Sequence, residues 1–280
     1  MRRFISILLG AFACLAVGAG TASATTNPVL YSSLPAPGTV SIPSVGVEAY
    51  SFNQIGNEVI LTRSATAHHV SVTMVDWACQ TGAWNTGDCA TTPGATYPTT
   101  ITLHLYRAST RNSTTGEVTP GTQITHITKT FNIKFRPTSD PSCGLDGNGL
   151  ADALFRGSDG QCHHGLDQTV VFPLSRNLPT DVVWGVSYNS DNSGPTPIGG
   201  SGAPQDSLNV GLAPKTTVGH ARYDDAIFWD TRVQGFSCAA PAPDGNSGPF
   251  QTGVFNLDGP CDGANNSWAG FVPAAKFSTN

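Results

Sequence analysis

Hydrophobic and polar residues alternate with a period of two along most of this chain. In the segment 70–75, Val70, Val72 and Met74 fall on one face of an extended strand. No ten-residue window shows the 3.6-residue periodicity of an amphipathic helix. The strands predicted in this way are 45–52, 57–63, 70–75, 101–106, 124–135, 168–174, 182–188, 207–212, 226–230, 252–257 and 270–277.

Turn-rich segments separate these strands and indicate how the chain is organised. The longest are 80–98, 136–166, 190–205 and 239–250, which are rich in Gly, Pro, Asn and Asp. The pattern predicts an all-β fold, an antiparallel β-sandwich of jelly-roll type with long loops stapled by disulfides. We expect residues 25–280 to form a single domain, with two smaller β units divided near residue 137 as the alternative.

The N-terminus has the pattern of an export signal. Arg2 and Arg3 precede an apolar stretch over 4–19, and Ala22 and Ala24 occupy the positions that a signal peptidase reads. The apolar stretch is short for a membrane span. We therefore predict that residues 1–24 are a signal peptide and that the protein is secreted.

The charge balance excludes some partners. Removing the leader leaves 12 Lys and Arg against 19 Asp and Glu, a net charge of −7. Nucleic acid and anionic membrane surfaces both require clustered cationic side chains. We therefore expect no nucleic-acid partner, and we expect no membrane insertion because no later segment is long and apolar enough.

The cysteines outside the leader lie in three close pairs. Six cysteines allow 15 pairings, and a zinc site is the alternative, but export favours disulfides. Proximity in the sequence favours Cys79–Cys89, Cys143–Cys162 and Cys238–Cys261. Each bridge closes a loop with little core of its own and is expected to contribute roughly 2–3 kcal/mol.

Six segments, in order along nearly the whole mature chain, share a familiar pattern. They are SIPSVGVEA (41–49), VSVTMVDWAC (70–79), GDC (87–89), TFNIKFRPTSD (130–140), DSLNVGL (206–212) and FVPAAKF (271–277). Together they resemble a family of uncharacterised secreted bacterial proteins, which has no assigned activity, cofactor or catalytic residue. The resemblance therefore implies secretion and a β-rich domain and carries over no site.

Tryptophans give the candidate ligand contacts. Trp77, Trp184 and Trp229 lie in predicted strands, where we expect them to pack in the core. Trp84 and Trp268 lie in loops. A loop tryptophan can stack on a sugar ring or fold back over its own disulfide, so these two are the candidate ligand-binding residues.

Oxygen-bearing residues between Cys143 and Cys162 give a candidate metal site. Asp146, Asn148 and Asp152 stand among glycines, and such oxygen ligands suit Ca²⁺. The EF-hand pattern is absent, and ordinary turns are the alternative. The nearby pair His163–His164 is expected to be exposed, with its two side chains diverging.

The functional prediction is a non-catalytic extracellular or cell-surface protein, with carbohydrate as the candidate ligand. A hydrolase of metal-assisted or serine type is one alternative, because the segments around His68 and Ser247 resemble the histidine and serine segments of chymotrypsin-like enzymes. A structural protein of the envelope or matrix is another. The sequence leaves the oligomeric state open.

Overall fold

A computed structural model describes residues 28–47, 53–111, 118–144, 154–191, 194–196, 198, 207–223, 227–229, 255–257 and 270–280. The predicted signal peptide 1–24 lies outside these residues. The same holds for Cys238, Cys261, Trp268 and Ser247, and for the proposed calcium ligands Asp146, Asn148 and Asp152.

The described strands form two large sheets and a two-stranded ribbon, and every pairing is antiparallel. The first sheet contains β1 (Val29–Ser32), β2 (Ser44–Gly46), β4 (Ala65–Asp76), β11 (Leu166–Leu178), β13 (Leu208–Ala213), β17 (Val272–Pro273) and β18 (Ala275–Ser278). The second contains β3 (Gln54–Ile60), β5 (Thr96–Arg107), β6 (Thr110–Arg111), β7 (Val118–Thr119), β8 (Gln123–Lys134), β12 (Asp181–Tyr188), β14 (His220–Ala221), β15 (Ile227–Trp229) and β16 (Phe255–Leu257). The ribbon pairs β9 (Phe155–Arg156) with β10 (Cys162–His163).

Strand β4 is the central strand of the first sheet. Its whole length pairs with β11, from Ala65 opposite Leu178 to Asp76 opposite Leu166. Its other edge pairs first with β18 and then with β13. Strands from both sides of residue 137 are thus neighbours in this sheet.

The second sheet is ordered around β12, which lies between β3 and β5. Strand β5 then pairs with β8 from Thr96 opposite Lys134 to Tyr106 opposite Gln123. The outer edge of β8 is partly protected from pairing with another strand by the side-chain amide of Gln168. This amide accepts a hydrogen bond from Lys134 N–H at 2.9 Å and donates one to the Lys134 carbonyl at 3.2 Å.

Inward-facing apolar residues of both sheets share one core. Val70, Val72 and Met74 contribute from β4, and Trp184 contributes from β12; all four are fully buried. The predicted all-β, antiparallel class is confirmed. The jelly-roll order of connections stays a prediction.

Two of the three predicted disulfides form. Cys79–Cys89 and Cys143–Cys162 have Cα–Cα distances of 5.4 and 5.8 Å, which are ordinary for a disulfide. The third predicted pair lies outside the described residues. Among the residues that the structure describes, no helix is long and apolar enough to cross a membrane.

Candidate functional site

The outward side of the β5–β8 pair carries an uncharged polar surface. Ile101, Leu103 and Leu105 of β5 point into the core, so alternation turns the residues between them outward. We call this surface the threonine face. Its residues are Pro98, Thr100, Thr102, His104 and Tyr106 of β5, and Gln123, His126, Thr128, Thr130 and Asn132 of β8.

Cross-strand pairing holds the threonines in register. The hydroxyl oxygens of Thr100 and Thr130 lie 2.8 Å apart, and those of Thr102 and Thr128 lie 2.9 Å apart. Thr100, Thr128 and Thr130 are exposed. With a rise of about 3.4 Å per residue in an antiparallel strand, the face is about 27 Å long from Pro98 to Tyr106. It is therefore an ordered array of hydroxyl groups that solvent can reach.

A denser network of polar side chains lies at one end of the face. His104 Nε2 lies 2.9 Å from the hydroxyl oxygen of Ser187, and the His104 ring is stacked on the Tyr106 ring with 6.2 Å between centroids. The Tyr106 hydroxyl donates to Gln54 Oε1 at 3.2 Å. The Gln54 side chain crosses β12 at Gly185, where the absence of a side chain leaves room for it. A Cβ at position 185 would lie 3.1 Å from Gln54 Oε1.

Burial, reinforced by the neighbouring His126, lowers the pKa of His104 to about 4. The imidazole is therefore neutral at neutral pH and takes one hydrogen-bond donor role and one acceptor role. Its Nδ1 lies 3.4 Å from the Gln123 amide nitrogen. This end of the face thus consists of neutral hydrogen-bonding groups.

The low pKa of His104 predicts acid sensitivity of the fold. An unfolded histidine has a pKa of about 6.5, so below that pH the unfolded chain takes up a proton that the folded chain resists. The free energy of unfolding of the wild type is expected to fall by about 2–3 kcal/mol more than that of His104→Gln between pH 7.5 and pH 4.5. Urea denaturation at both pH values measures the difference.

His68→Gln is the matched control, because His68 is an exposed histidine on β4. It should keep the pH dependence of the wild type. If the stability of His104→Gln depended on pH as that of the wild type does, the low pKa of His104 would be contradicted.

Glu58 is at the centre of a charged cluster beside this network. Its carboxylate is 1% exposed and accepts bonds from Arg222 Nε at 3.1 Å, from Ser109 N–H at 3.2 Å, and from the Ser109 hydroxyl. Arg222 also pairs with Asp181. Burial first, and then the Asp181 carboxyl, raise the pKa of Glu58. Because Arg222 and Ser109 occupy both oxygens of Glu58, the cluster fastens the chain after β14 to the sheet.

Trp84 packs against other rings. Its ring lies edge-to-face with Trp77, 4.9 Å between centroids, and perpendicular to His164 at 6.4 Å. The rings of Trp77 and His164 are stacked at 4.9 Å. Trp84 is half-buried, so part of it remains accessible, and its role as a ligand contact stays a prediction.

Two expectations about this aromatic cluster are wrong. Trp77 is half-buried just beyond the end of β4, where it packs against Trp84 and His164. Trp184 does pack in the core as expected. The two neighbouring histidines are partly buried, since His164 stacks on Trp77 while His163 turns to Asp159, with Nε2 3.0 Å from its carboxylate. Their side chains diverge as predicted.

The loop that ends in the Cys143–Cys162 disulfide is held by local contacts. Asp140 accepts from Ser142 N–H at 2.9 Å and from Arg156 Nε at 3.0 Å. Within the part of the chain that the structure describes, no three His, Cys, Asp or Glu side chains are grouped to hold a metal ion. The predicted calcium ligands lie outside that part.

A cleft of about 440 Å³ opens beyond the other end of the threonine face. Phe135, Pro93, Pro137 and Leu166 supply apolar walls, and Lys134 supplies the charged group. Its volume is within the range of about 300–1,000 Å³ that is usual for small-ligand sites.

Comparison with family models, with curated proteins and with solved structures finds no match for this chain. The resemblance to secreted bacterial proteins therefore stays a hypothesis. The function has to be inferred from the chemistry of the chain's own residues.

Proposed function

We propose that the protein is a secreted, non-catalytic carbohydrate-binding protein and that the threonine face is its binding surface. The observation that carries the proposal is the in-register array of Thr100, Thr102, Thr128 and Thr130, in which Thr102 is half-buried and the other three are exposed. Hydroxyl groups held in fixed positions can exchange hydrogen bonds with the hydroxyls of a sugar chain. The length of the face, about 27 Å, suits an extended glycan.

The composition of the face supports a neutral ligand. It contains no Asp, Glu, Lys or Arg, which disfavours nucleic acid and anionic lipid as partners. Its single large apolar group, the Tyr106 ring, is only 7% exposed, which disfavours a hydrophobic partner. At one end, the half-buried imidazole of His104 offers part of a neutral ring, with its nitrogens facing Ser187 and Gln123.

The disulfides support the extracellular part of the proposal. Disulfides persist in oxidising compartments, and the two that form close loops at the end of the molecule where the Trp77–Trp84–His164 cluster lies. Together with the predicted signal peptide, they fit a protein that works outside the cell.

A screen of neutral polysaccharides tests the proposal. The oxidised protein is run by affinity electrophoresis through soluble β-glucan, xylan and mannan, and is sedimented with cellulose and chitin. We expect at least one polymer to retain it. In calorimetric titration with that polymer, Thr100→Ala/Thr130→Ala should weaken binding about tenfold, because each lost hydrogen bond is worth about 0.5–1.5 kcal/mol.

Thr66→Ala is the matched control, because Thr66 is an exposed threonine on β4 of the other sheet. It should bind like the wild type. Retention by no polymer would contradict the proposal, and self-association in its place would favour a structural protein. Binding that is lost in Trp84→Ala but kept in the double variant would move the site to the aromatic cluster.

A further inference from the structure

We infer that the cleft beside Lys134 binds one acidic sugar ring, of the uronic-acid class, at the end of a glycan lying on the threonine face. This inference rests on the proposed function. It adds a specificity that the neutral face alone does not supply, namely a preference for a glycan that carries a carboxylate.

The cleft and the threonine face are continuous. Lys134 pairs with Thr96 in the cross-strand row that follows Pro98 and Asn132, so its side chain alternates onto the same outward side. Lys134 also lines the cleft. A chain that follows the face along β8 therefore arrives at Lys134.

The walls of the cleft fit the apolar side of a sugar ring. Phe135 presents an aromatic ring, and Pro93, Pro137 and Leu166 present aliphatic surface. The axial C–H bonds of a pyranose form an apolar face that packs on such surfaces. The volume of about 440 Å³ suits a terminal ring better than a long chain, because it is at the small end of the usual range.

The walls are held in place before any ligand arrives. The Phe135 ring lies 4.7 Å from the Tyr97 ring, and Tyr97 in turn donates to Asp76 at 2.6 Å. Thr91 N–H donates to the Thr138 hydroxyl at 2.9 Å, which joins the two loops on either side of the cleft. A preformed cleft loses little conformational entropy on binding.

Charge selects the acidic ring. Among the described residues that line the cleft, Lys134 is the one that carries a charge, and its side chain forms no hydrogen bond or ion pair with other described residues. Its backbone is fixed by Gln168 at both N–H and C=O, which sets the point from which the ammonium group extends. In a chain of net charge −5 including the leader, a cation at the rim of an apolar cleft favours a ligand with one carboxylate.

The experiment compares oligogalacturonate with its methyl ester, which keeps the sugar rings and removes the charge. Calorimetric titrations use the wild type, Lys134→Gln and Lys129→Gln. The last is the matched control: an exposed lysine of the same strand whose Nζ donates to the Val171 carbonyl at 3.1 Å. We expect the wild type to bind the acid about three- to tenfold more tightly than the ester. Lys134→Gln should remove that preference, and Lys129→Gln should keep it.

Equal binding of acid and ester by the wild type would overturn the inference, and so would a preference that survives in Lys134→Gln. In either case, neutral-polymer binding that is weakened by Thr100→Ala/Thr130→Ala would leave the proposed function standing. If the double variant binds neutral polymers as the wild type does, the proposed function fails separately.

Discussion

Replacing Arg136 by alanine is expected to lower the free energy of unfolding by about 3–5 kcal/mol, because it leaves the buried carboxyl of Asp76 without its neighbouring cation. Arg136 is fully buried. Its guanidinium carbon lies 5.3 Å from the centroid of the Phe155 ring, and its backbone N–H donates to Ala78 at 3.1 Å. Urea denaturation at pH 7 measures the loss.

The reason for the large effect is the neighbouring carboxyl of Asp76. Burial raises the pKa of Asp76 well above its usual range, although Tyr97, the Ala78 N–H and the charge of Arg136 all act to lower it. Burial likewise lowers the pKa of Arg136 to about 10, against the opposing influence of Asp76. Truncating Arg136 removes that favourable charge and also leaves a cavity beside Phe155.

Arg156→Ala is the matched control. Its side chain is 43% exposed and pairs with Asp140 at 3.0 Å, and exposed pairs contribute about 0–1 kcal/mol. A loss for Arg136→Ala no larger than that for Arg156→Ala would show that the Arg136 site does not depend on its cation.

Trp184→Ala is expected to cost about 3–5 kcal/mol, since the ring is fully buried between the two sheets. Trp184→Phe should recover most of that loss, because phenylalanine fills much of the volume and removes a buried N–H that finds no hydrogen-bond partner among the described residues. The free energy of unfolding of each variant, measured in urea, tests the pair.

Trp84→Ala provides the comparison within one residue type. Trp84 is half-buried against Trp77 and His164, and we expect a loss of about 1–2 kcal/mol for its ring contacts. A loss for Trp84→Ala equal to that for Trp184→Ala would mean that the disulfide loop is as important to the core as β12 is.

The alternation of apolar residues predicts most of the observed strands because it depends only on local geometry. Residues 70–75 lie in β4, residues 182–188 lie in β12, and the predicted strand 124–135 matches β8 except for its last residue. Strand ends are less well predicted: β4 begins at Ala65, where exposed His68 and half-buried His69 interrupt the apolar pattern. The pairing of β4 with β11 extends back to Ala65, and the sequence carries no local signal for that pairing.

The candidate site was harder to predict because it joins distant parts of the chain. The threonines at 100 and 102 alternate with core residues, so their outward orientation could have been predicted from the sequence. Their registry with Thr130 and Thr128 depends on the pairing of β5 with β8. Gln54 and Ser187 come from β3 and β12, and only the order of strands brings them to His104 and Tyr106.

Buried charge was the other feature that sequence reasoning missed. Arg136 stands directly before Pro137 in a turn-rich segment, where an arginine is usually exposed. In the folded chain it is buried, with the Phe155 ring near its guanidinium group and its backbone N–H bonded to Ala78 just after β4. Phe155 is 19 residues further along the sequence, so no local pattern indicates the contact.

The measurement that tests the central claim most directly is a map of backbone amide chemical-shift changes as a retained neutral oligosaccharide is added to isotope-labelled protein. The proposal predicts that the largest changes cluster on β5 and β8, around Thr100, Thr102, Thr128 and Thr130. Changes centred on Trp77 and Trp84, with the threonine face unaffected, would contradict it.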